Sequence, residues 1–395
     1  MKRETATERT RLSIIQLCHS GLDSGQLRVE LLKRLRTVIP FDYTFFSTTD
    51  PSTQLFTSAV TDETPVWAIH QFLENWFLQD DFNQLHSLLR NHLSVGVLSE
   101  QTQHDLSRSQ RYRDILAPLA LGDEMRAAFV TDAACWGTLC LHRERAVSEY
   151  TSAEAAFLAQ LAPHIAEGLR KALLLNGAPA VRTPDGPGVL VLSEDLSVVA
   201  MTPAAEYWLS ELVEAERGDK HALPHTVLTV VDRLQASERV VATPFDCLPR
   251  VRLRTPSGHW LVLSASRLSG EASQGQITVI FEMAQPIEIA PLLLQAYHLT
   301  KREGEVVQCI LRGWSTTEIA ATLHISSNTV QDHLKAIFEK VDVRSRRELA
   351  GRIFAQQYQP HFLAGAPLDT AGRLTSLDQT SDERYTASNS GKSGI

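Results

Sequence analysis

The sequence predicts a multidomain α+β protein, in which two mixed α/β units precede an all-α C-terminal segment of four helices. The chain has 395 residues, more than one hydrophobic core ordinarily organises, so two or three domains are expected. Residues 8–175 and 188–285 both mix short alternating strands with amphipathic helices. Over residues 293–357 the hydrophobic period is helical.

The first unit, residues 8–175, contains both helical and strand patterns. Pro65–Leu78 is an aromatic-rich helical run. Arg126–Thr131 and Trp136–His142 alternate as two strands around a short turn. The sequence Thr151–Glu154 is a capping box, which predicts that a long helix begins there and closes the unit.

That closing helix has an apolar stripe. Its members recur every three or four residues and are Leu158, Leu161, Ile165, Ala172 and Leu173. A stripe of this kind packs either on the sheet of its own chain or against a symmetry mate. We expect it to contribute to a homodimer interface.

A linker is predicted at residues 176–187, where glycine and proline are dense. The second unit, residues 188–285, begins with a strand, a turn, a strand and a helix, and ends with a hairpin and a last strand. Residues 364–395 are rich in Ser, Thr, Gly and Asp and lack apolar periodicity. We therefore predict that this tail is disordered.

Residues 293–357 carry the most specific pattern of the chain. Three capping boxes each precede an amphipathic run: Thr300 with Glu303, Ser315 with Glu318, and Ser345 with Glu348. A short turn at residues 324–326 separates the second and third predicted helices, which is the arrangement of a helix-turn-helix. Such a motif places its second helix in the major groove of duplex DNA.

The third helix has a polar face opposite Val330 and Leu334, and the predicted DNA contacts lie on or beside this face. Gln331 can pair with adenine, Lys335 can donate to guanine, and Asp332 can accept from cytosine. The other predicted contacts are Asn328 on the same face and, as contacts to phosphate, Ser327, Thr329, Arg344 and Arg346.

The charge distribution agrees with that location of the interface. The formal net charge of the chain is −8. Nine basic and seven acidic residues between positions 299 and 357 give that segment +2, which leaves −10 for the remainder. Since phosphate repels the acidic remainder, DNA contact is expected from the C-terminal segment.

Four motifs and one histidine follow one another in this segment: Leu299-Thr-Lys-Arg-Glu303, Ser315-Thr-Thr-Glu-Ile-Ala320, Ile325-Ser-Ser-Asn-Thr-Val330, His333 and Val343-Arg-Ser-Arg-Arg-Glu-Leu349. Together they resemble the C-terminal DNA-binding domain of the LuxR/FixJ-type regulators. The resemblance implies four helices, of which the third enters the major groove and the fourth often dimerises. It also implies base contacts by Gln331, Asp332 and Lys335. Family members often carry a basic or small polar residue where Asp332 stands, so the base preference stays open.

The segment Gly188–Ala200, followed by Pro203–Glu206, resembles the opening of a PAS domain. The resemblance leaves two roles open, a ligand sensor or a dimerisation and spacer unit without ligand. The strands between Asp123 and His142, with the closing helix, resemble a GAF-like sensor fold.

The first unit also faintly resembles the autoinducer-binding domain of quorum-sensing regulators, through Trp67 and Asp80; the family's tyrosine and proline are absent. The resemblance implies an effector pocket with an apolar wall of Trp67, Trp76 and Phe77, in which Asp80 accepts a hydrogen bond. Alternatively these aromatic residues are ordinary core residues. An acyl-homoserine lactone is not the expected ligand; another small organic effector is.

The interpretation that follows is a sequence-specific transcriptional regulator, not an enzyme. Its predicted partners are double-stranded DNA, a second copy of the chain, a small organic effector and RNA polymerase. Two alternatives stay open: a ligand-independent regulator whose N-terminal units only dimerise, and a small-molecule-processing enzyme with a helical appendage. A sigma-factor-like region also has a helix-turn-helix, but the promoter-melting helices that accompany it are not seen here.

No cofactor, metal or membrane contact is predicted. Cys135, Cys140 and His142 offer three donors, whereas a closed zinc site needs four. No apolar run is long enough to span a bilayer, and no secretory signal is recognised at the start. The five cysteines are scattered, as in proteins of a reducing compartment, so a cytoplasmic location is expected.

Overall fold

The computed structural model describes residues 2–62, 65–174, 183–184, 186–216, 223–239, 248–270 and 275–353. Within them lie two five-stranded antiparallel sheets, both packed against helices, and a C-terminal helical segment. The predicted fold class, a multidomain α+β protein, is confirmed. Most of the predicted linker at 176–187, the predicted tail at 364–395 and residues 354–357 of the predicted DNA-binding domain lie outside the described residues.

The first unit has one sheet with the strand order β2-β1-β5-β4-β3. Its described helices and strands are, in chain order, α1 (Lys2–Cys18), α2 (Ser24–Leu35), β1 (Tyr43–Thr49), β2 (Phe56–Thr61), α3 (Val66–Leu78), α4 (Leu85–Arg90), β3 (Val95–Val97), α5 (Leu98–Gln101), β4 (Leu121–Thr131), β5 (Ala134–Glu144) and α6 (Ser152–Leu174). Short 3₁₀ and π turns at Leu106–Arg108 and Tyr112–Leu116 connect α5 to β4.

The β4–β5 hairpin forms the centre of this sheet. Asp132 and Ala133 join the two strands with φ of 50° and 61°, and such a left-handed pair suits a two-residue hairpin turn. Because side chains alternate across a strand, Met125 and Phe129 face the core under α6, while Arg126 faces the opposite side. Both faces of this sheet are therefore buried, and the opposite side carries the polar groups described below.

Helix α6 begins at the predicted capping box. The Thr151 backbone N–H donates to Glu154 Oε2 at 2.9 Å, and the Glu154 N–H donates to Thr151 Oγ1 at 3.3 Å. Leu158, Leu161 and Ile165 are each 0% exposed and belong to the core of their own unit. The expectation that this stripe forms a dimer interface is wrong, because the sheet and helices of the same chain already cover it.

The second unit repeats the strand arrangement of the first, with the order β7-β6-β10-β9-β8. Its described elements are β6 (Gly188–Leu192), β7 (Val198–Met201), α7 (Pro203–Glu216), α8 (His225–Arg239), β8 (Arg250–Arg254), β9 (Trp260–Arg267) and β10 (Ile277–Met283). The sequence pattern did not predict α8. Its first half is rich in the β-branched residues Thr and Val, which have low helix propensity, and burial against the sheet compensates.

The two units pack against each other along α3, β2 and α8. Arg252 Nη2 lies 2.6 Å from Asp50 Oδ1, and the Asp50 side chain is fully buried. The Thr226 hydroxyl donates to the Thr57 carbonyl oxygen at 3.0 Å. Because separating a buried ion pair is strongly destabilising, this pair fixes the second unit on the first.

The C-terminal segment is entirely helical in its described part. Its helices are α9 (Pro286–Ala296), α10 (Lys301–Leu311), α11 (Thr316–Leu323) and α12 (Ser327–Val341), followed by helical residues 346–353. Both bonds of the predicted capping boxes are present at the starts of α10 and α11. At the third box the Glu348 N–H donates to Ser345 Oγ at 3.1 Å, while the Glu348 carboxylate accepts from the Arg344 N–H.

Within the described part of the chain, no helix combines the length and apolar character needed to cross a bilayer. Among the same residues, no three His, Cys, Asp or Glu side chains are grouped as metal ligands would be.

Candidate functional site

The turn of the helix-turn-helix contains a residue with left-handed backbone angles. This residue is His324, the C-cap of α11, which has φ 53° and ψ 46°. Two residues later Ser326 caps α12, its side-chain oxygen accepting from the Thr329 N–H at 3.0 Å. The reversal of the chain is thus completed within residues 324–326, as the sequence predicts, and α12 is set across α11.

One face of α12 packs into the C-terminal core, and the opposite face is exposed. Val330, Leu334, Ile337 and Val341 are buried together with residues of α10 and α11. The predicted base-contacting side chains Asn328, Gln331, Asp332 and Lys335 are all exposed, as is Ser327 at the start of the helix. The structure therefore brings these five predicted residues together on one accessible surface, which we call the α12 face.

Gln331 of the α12 face donates weakly to Thr316 Oγ1 at 3.4 Å, and two other predicted DNA contacts also have internal partners. The Arg346 guanidinium donates to the Trp314 carbonyl oxygen at 3.0 Å and to Thr316 Oγ1 at 2.7 Å. The Thr329 and Ser326 hydroxyl groups form a hydrogen bond with 2.8 Å between their oxygen atoms. Arg346 is therefore a brace between the last described helix and α11, a role that the sequence did not indicate. Arg344, by contrast, is exposed.

A lysine outside the predicted set anchors the C-terminal end of α12. Lys340 Nζ lies 2.7 Å from Glu303 Oε2 and also donates to the His298 carbonyl oxygen at 3.1 Å. Burial alone would raise the pKa of Glu303, but hydrogen bonds from Lys340 and from Thr300 outweigh it and hold that pKa below its usual value. This end of α12 borders a cleft against α1 and α6, so the exposed N-terminal half is the part free to enter a groove.

A second candidate site lies in the first unit, on the face of the sheet opposite α6. A cavity of about 300 Å³ lies between strands β1, β2, β4 and β5, helix α3 and the start of α8. We call it the sheet cavity. Its apolar lining includes Phe45, Phe56, Ile69, Phe72, Leu73, Trp76, Leu119 and Leu121.

One of the four predicted pocket residues lines the sheet cavity. Trp76 does so, with its ring 4.9 Å from the Arg126 guanidinium carbon. Trp67 is 44% exposed, and Phe77 packs against the cores near the second unit. Asp80 is exposed and does not line the cavity. The lining of the cavity thus includes Trp76 of the predicted pocket but not Trp67, Phe77 or Asp80.

A buried charge network lies behind the polar end of the cavity and reaches its lining through Arg126. Glu124 Oε2 lies 2.6 Å from Arg111 Nη2, and Glu124 Oε1 lies 3.1 Å from Arg126 Nε. Asp81 Oδ2 lies 3.6 Å from Arg111 Nη1 and accepts from the Arg111 backbone N–H at 2.7 Å. Asp81, the neighbour of the predicted Asp80, is thus the residue whose carboxylate joins this network through Arg111.

Burial and charge set the protonation states at this end. Burial alone would raise the pKa of Glu124, but Arg111 and Arg126 outweigh it and lower that pKa to about 2. Burial lowers the pKa of His142 to about 4, although nearby Glu124 works in the opposite direction. At neutral pH, Glu124 is therefore an anion and the His142 ring is neutral.

Sequence reasoning missed these polar residues, although a signal was present. Glu124 and Arg126 alternate with apolar residues along a strand that is otherwise buried on both faces. In the antiparallel register Glu124 pairs with His142, and Arg126 pairs with Cys140. Charged side chains at every second position of a buried strand indicate a functional or structural network, because unpaired charges are not tolerated there.

Residues 297–352 match the family model described as bacterial regulatory proteins, luxR family. The uncharacterized transcriptional regulatory protein YhcZ of Bacillus subtilis is 42% identical over 62 residues, which are 16% of this chain and 28% of that protein. The transcriptional regulatory protein DesR of the same organism is 41% identical over 61 residues, 15% of this chain and 31% of that protein. This chain thus spans less than a third of the length of these curated relatives.

A solved structure also shows a partial likeness to this chain. The match to a GAF domain/HD domain protein from Geobacter sulfurreducens covers 40% of this chain and 99% of that chain, with 18% sequence identity and a TM-score of 0.30.

The C-terminal segment, with its capped helices and exposed α12 face, is a LuxR-type helix-turn-helix domain.

Proposed function

We propose that this chain is a transcriptional regulator that binds duplex DNA sequence-specifically, with α12 as the recognition helix. The observation that carries the proposal is the α12 face, a row of exposed polar side chains on the second helix of the helix-turn-helix in a LuxR-type domain. The N-terminal part of a recognition helix is where side chains reach base edges.

The proposed roles follow from exposure and chemistry. Gln331, Asp332 and Lys335 contact bases, because they lie on the exposed face within the first turns of α12. Asn328 extends the same surface, and Ser327 with Arg344 contacts phosphates on either side. Thr329 and Arg346 contact phosphate while they keep their internal hydrogen bonds.

A mobility-shift titration on genomic fragments selected by the purified chain tests this function. Lys335→Ala removes a base contact, so specific binding falls by about 1–3 kcal/mol and discrimination against other sequences weakens. Lys301→Ala is the matched control, since it removes an equal charge from an exposed position on α10, away from the α12 face. Equal effects of both substitutions, or no selected sequence at all, would refute the proposal.

Control by a small organic effector is the second part of the proposal, and the sheet cavity supports it. The cavity lies at the lower end of the ~300–1,000 Å³ range of small-molecule pockets and combines an apolar lining with few polar groups. A ligand-independent regulator would leave the cavity without a role. No catalytic step is assigned to any residue.

A homodimer acting in the cytoplasm with RNA polymerase as a further partner completes the proposal. Two recognition helices related by a two-fold axis require half-sites roughly one helical turn apart. The proposed domains are residues 8–175, 188–285 and 293–357, joined by the linker at 176–187 and followed by the tail at 364–395.

A further inference from the structure

The sheet cavity is bounded by both N-terminal units. Most of its lining comes from the first unit, but His225, the first residue of α8, belongs to the second. The His225 ring lies 5.5 Å from the ring of Phe45 on β1. The neighbouring Thr226 is held on β2 through its hydrogen bond to Thr57. A molecule in this cavity therefore touches both units at once.

The polar end of the cavity offers donors and a weakly polar thiol. Arg126, Cys140 and His142 line it side by side on β4 and β5. The His142 ring lines the cavity, while its buried Nδ1 lies 3.9 Å from Glu124 Oε1 without a hydrogen-bond partner among the described residues. When the one proton of the neutral imidazole is on Nε2, that N–H can donate to an acceptor atom in the cavity. Burial raises the pKa of Cys140 to about 11, so its thiol stays protonated.

The charges at this end are already balanced. Arg111 and Arg126 carry two positive charges, while Asp81 and Glu124 carry two negative charges at contact distance. An anionic ligand would add an unmatched charge to a buried site, and burying an unpaired charge is costly. An uncharged acceptor would gain a hydrogen bond without disturbing the balance.

We propose, on the basis of the effector control proposed above, that the sheet cavity binds an uncharged aromatic molecule bearing a hydrogen-bond acceptor, and that α8 forms part of its wall. The aromatic body lies among Phe45, Phe72 and Trp76, and the acceptor accepts from His142. Since His225 contacts the same molecule, binding strengthens the contact between the two N-terminal units.

Three naphthalene derivatives of similar shape test the ligand class by calorimetric titration of the full chain. 2-Acetylnaphthalene supplies a neutral acceptor, 2-ethylnaphthalene supplies none, and 2-naphthoate supplies an anion. The ketone binds about tenfold more tightly than the hydrocarbon, the gain from one buried hydrogen bond, and the acid binds most weakly. Equal affinities, tightest binding of the acid, or no binding of the ketone would each overturn the proposal.

His142→Phe locates the acceptor, because it removes the N–H donor while keeping a flat, neutral ring. The ketone and the hydrocarbon then bind equally. His164→Phe, a change at a half-buried position on α6 outside the cavity, leaves the tenfold preference intact. A preference that survives His142→Phe assigns the acceptor elsewhere and refutes this geometry. The comparison of the three probes on the unaltered chain stands even if this variant does not fold.

His225→Ala tests the shared wall. Loss of the ring contact weakens ketone binding about fivefold, as expected for roughly 1 kcal/mol of apolar contact. Ser237→Ala, an exposed position on the same helix, leaves binding unchanged. Unchanged affinity in His225→Ala would show that the second unit takes no part. These titrations contain no DNA, so a failure of DNA binding in the mobility-shift assay refutes the proposed regulator without affecting them, and the reverse also holds.

Discussion

Replacing Glu124 by glutamine tests the charge network beneath the sheet cavity. The carboxylate contacts two guanidinium groups at 2.6 and 3.1 Å and is completely buried. Its pKa falls from 4.5 to about 2 in the folded chain, which corresponds to about 3 kcal/mol of stabilisation. Breaking a buried ion pair by removing one partner costs about 3–5 kcal/mol, so both routes predict a loss of about 3 kcal/mol at pH 7.

The pH dependence gives this prediction its sign. Because folding lowers the pKa of Glu124, its stabilisation is complete above pH 4.5 and is lost as the pH falls towards about 2. Urea unfolding followed by far-UV circular dichroism at pH 7, 5 and 3 measures the difference between the unaltered chain and Glu124→Gln. The deficit persists at pH 5 and shrinks at pH 3. Glu144→Gln, at an exposed position on β5, shows no such deficit. A Glu124→Gln chain as stable as the original at pH 7, or a deficit independent of pH, would refute the reasoning.

Three further predictions concern the C-terminal domain and α6. Arg346→Ala removes two internal hydrogen bonds, so it lowers the melting temperature and weakens binding to all DNA sequences alike, whereas Arg344→Ala weakens binding only. Calorimetry measures the melting temperatures and mobility shifts measure the binding. An unchanged melting temperature in Arg346→Ala would contradict its role as a brace. Lys340→Met costs at most about 1 kcal/mol by urea titration, since its pair with Glu303 is partly exposed; a larger loss would contradict that limit. Ile165→Glu gives an unfolded or aggregated first unit by circular dichroism, because the Ile165 side chain is 0% exposed. A variant that stays folded but becomes monomeric would instead place a dimer interface at this position.

The helix-turn-helix could be predicted from sequence because its signals are local. A capping box needs only residues three apart, as at Thr300 and Ser315, and both bonds form in the structure. The partition of α12 into buried and exposed faces follows from the helical period alone. The internal hydrogen bonds of Arg346 could not be predicted, because its partners Trp314 and Thr316 lie some thirty residues earlier, a separation that no local pattern encodes.

The sheet cavity could be predicted only in part, because it is assembled from distant segments. The aromatic character of Trp67, Trp76 and Phe77 predicts an apolar wall, but the rotation of α3 decides which of these side chains lines the cavity. The network depends on contacts such as that between Arg111, which precedes the turn at Tyr112–Leu116, and Glu124 on β4, which only the tertiary fold brings together. The contribution of α8 was hidden, since its β-branched sequence does not favour a helix until the sheet buries it.

Helix α9 links the two N-terminal units to the C-terminal domain, because it has buried residues in the cores of both. Ile289, Leu292 and Leu293 are buried in the core of the first unit, while Leu294 of the same helix is buried in the C-terminal core. On the second unit's side, Arg252 donates to the Glu288 carbonyl oxygen at 2.7 Å. Interiors are close-packed and transmit displacement instead of absorbing it. A shift of the second unit relative to the first must therefore either move α9 or break these contacts, and moving α9 displaces the helices that carry the α12 face. The cavity wall at α8 and the α12 face are thus connected through one short helix with residues in both cores.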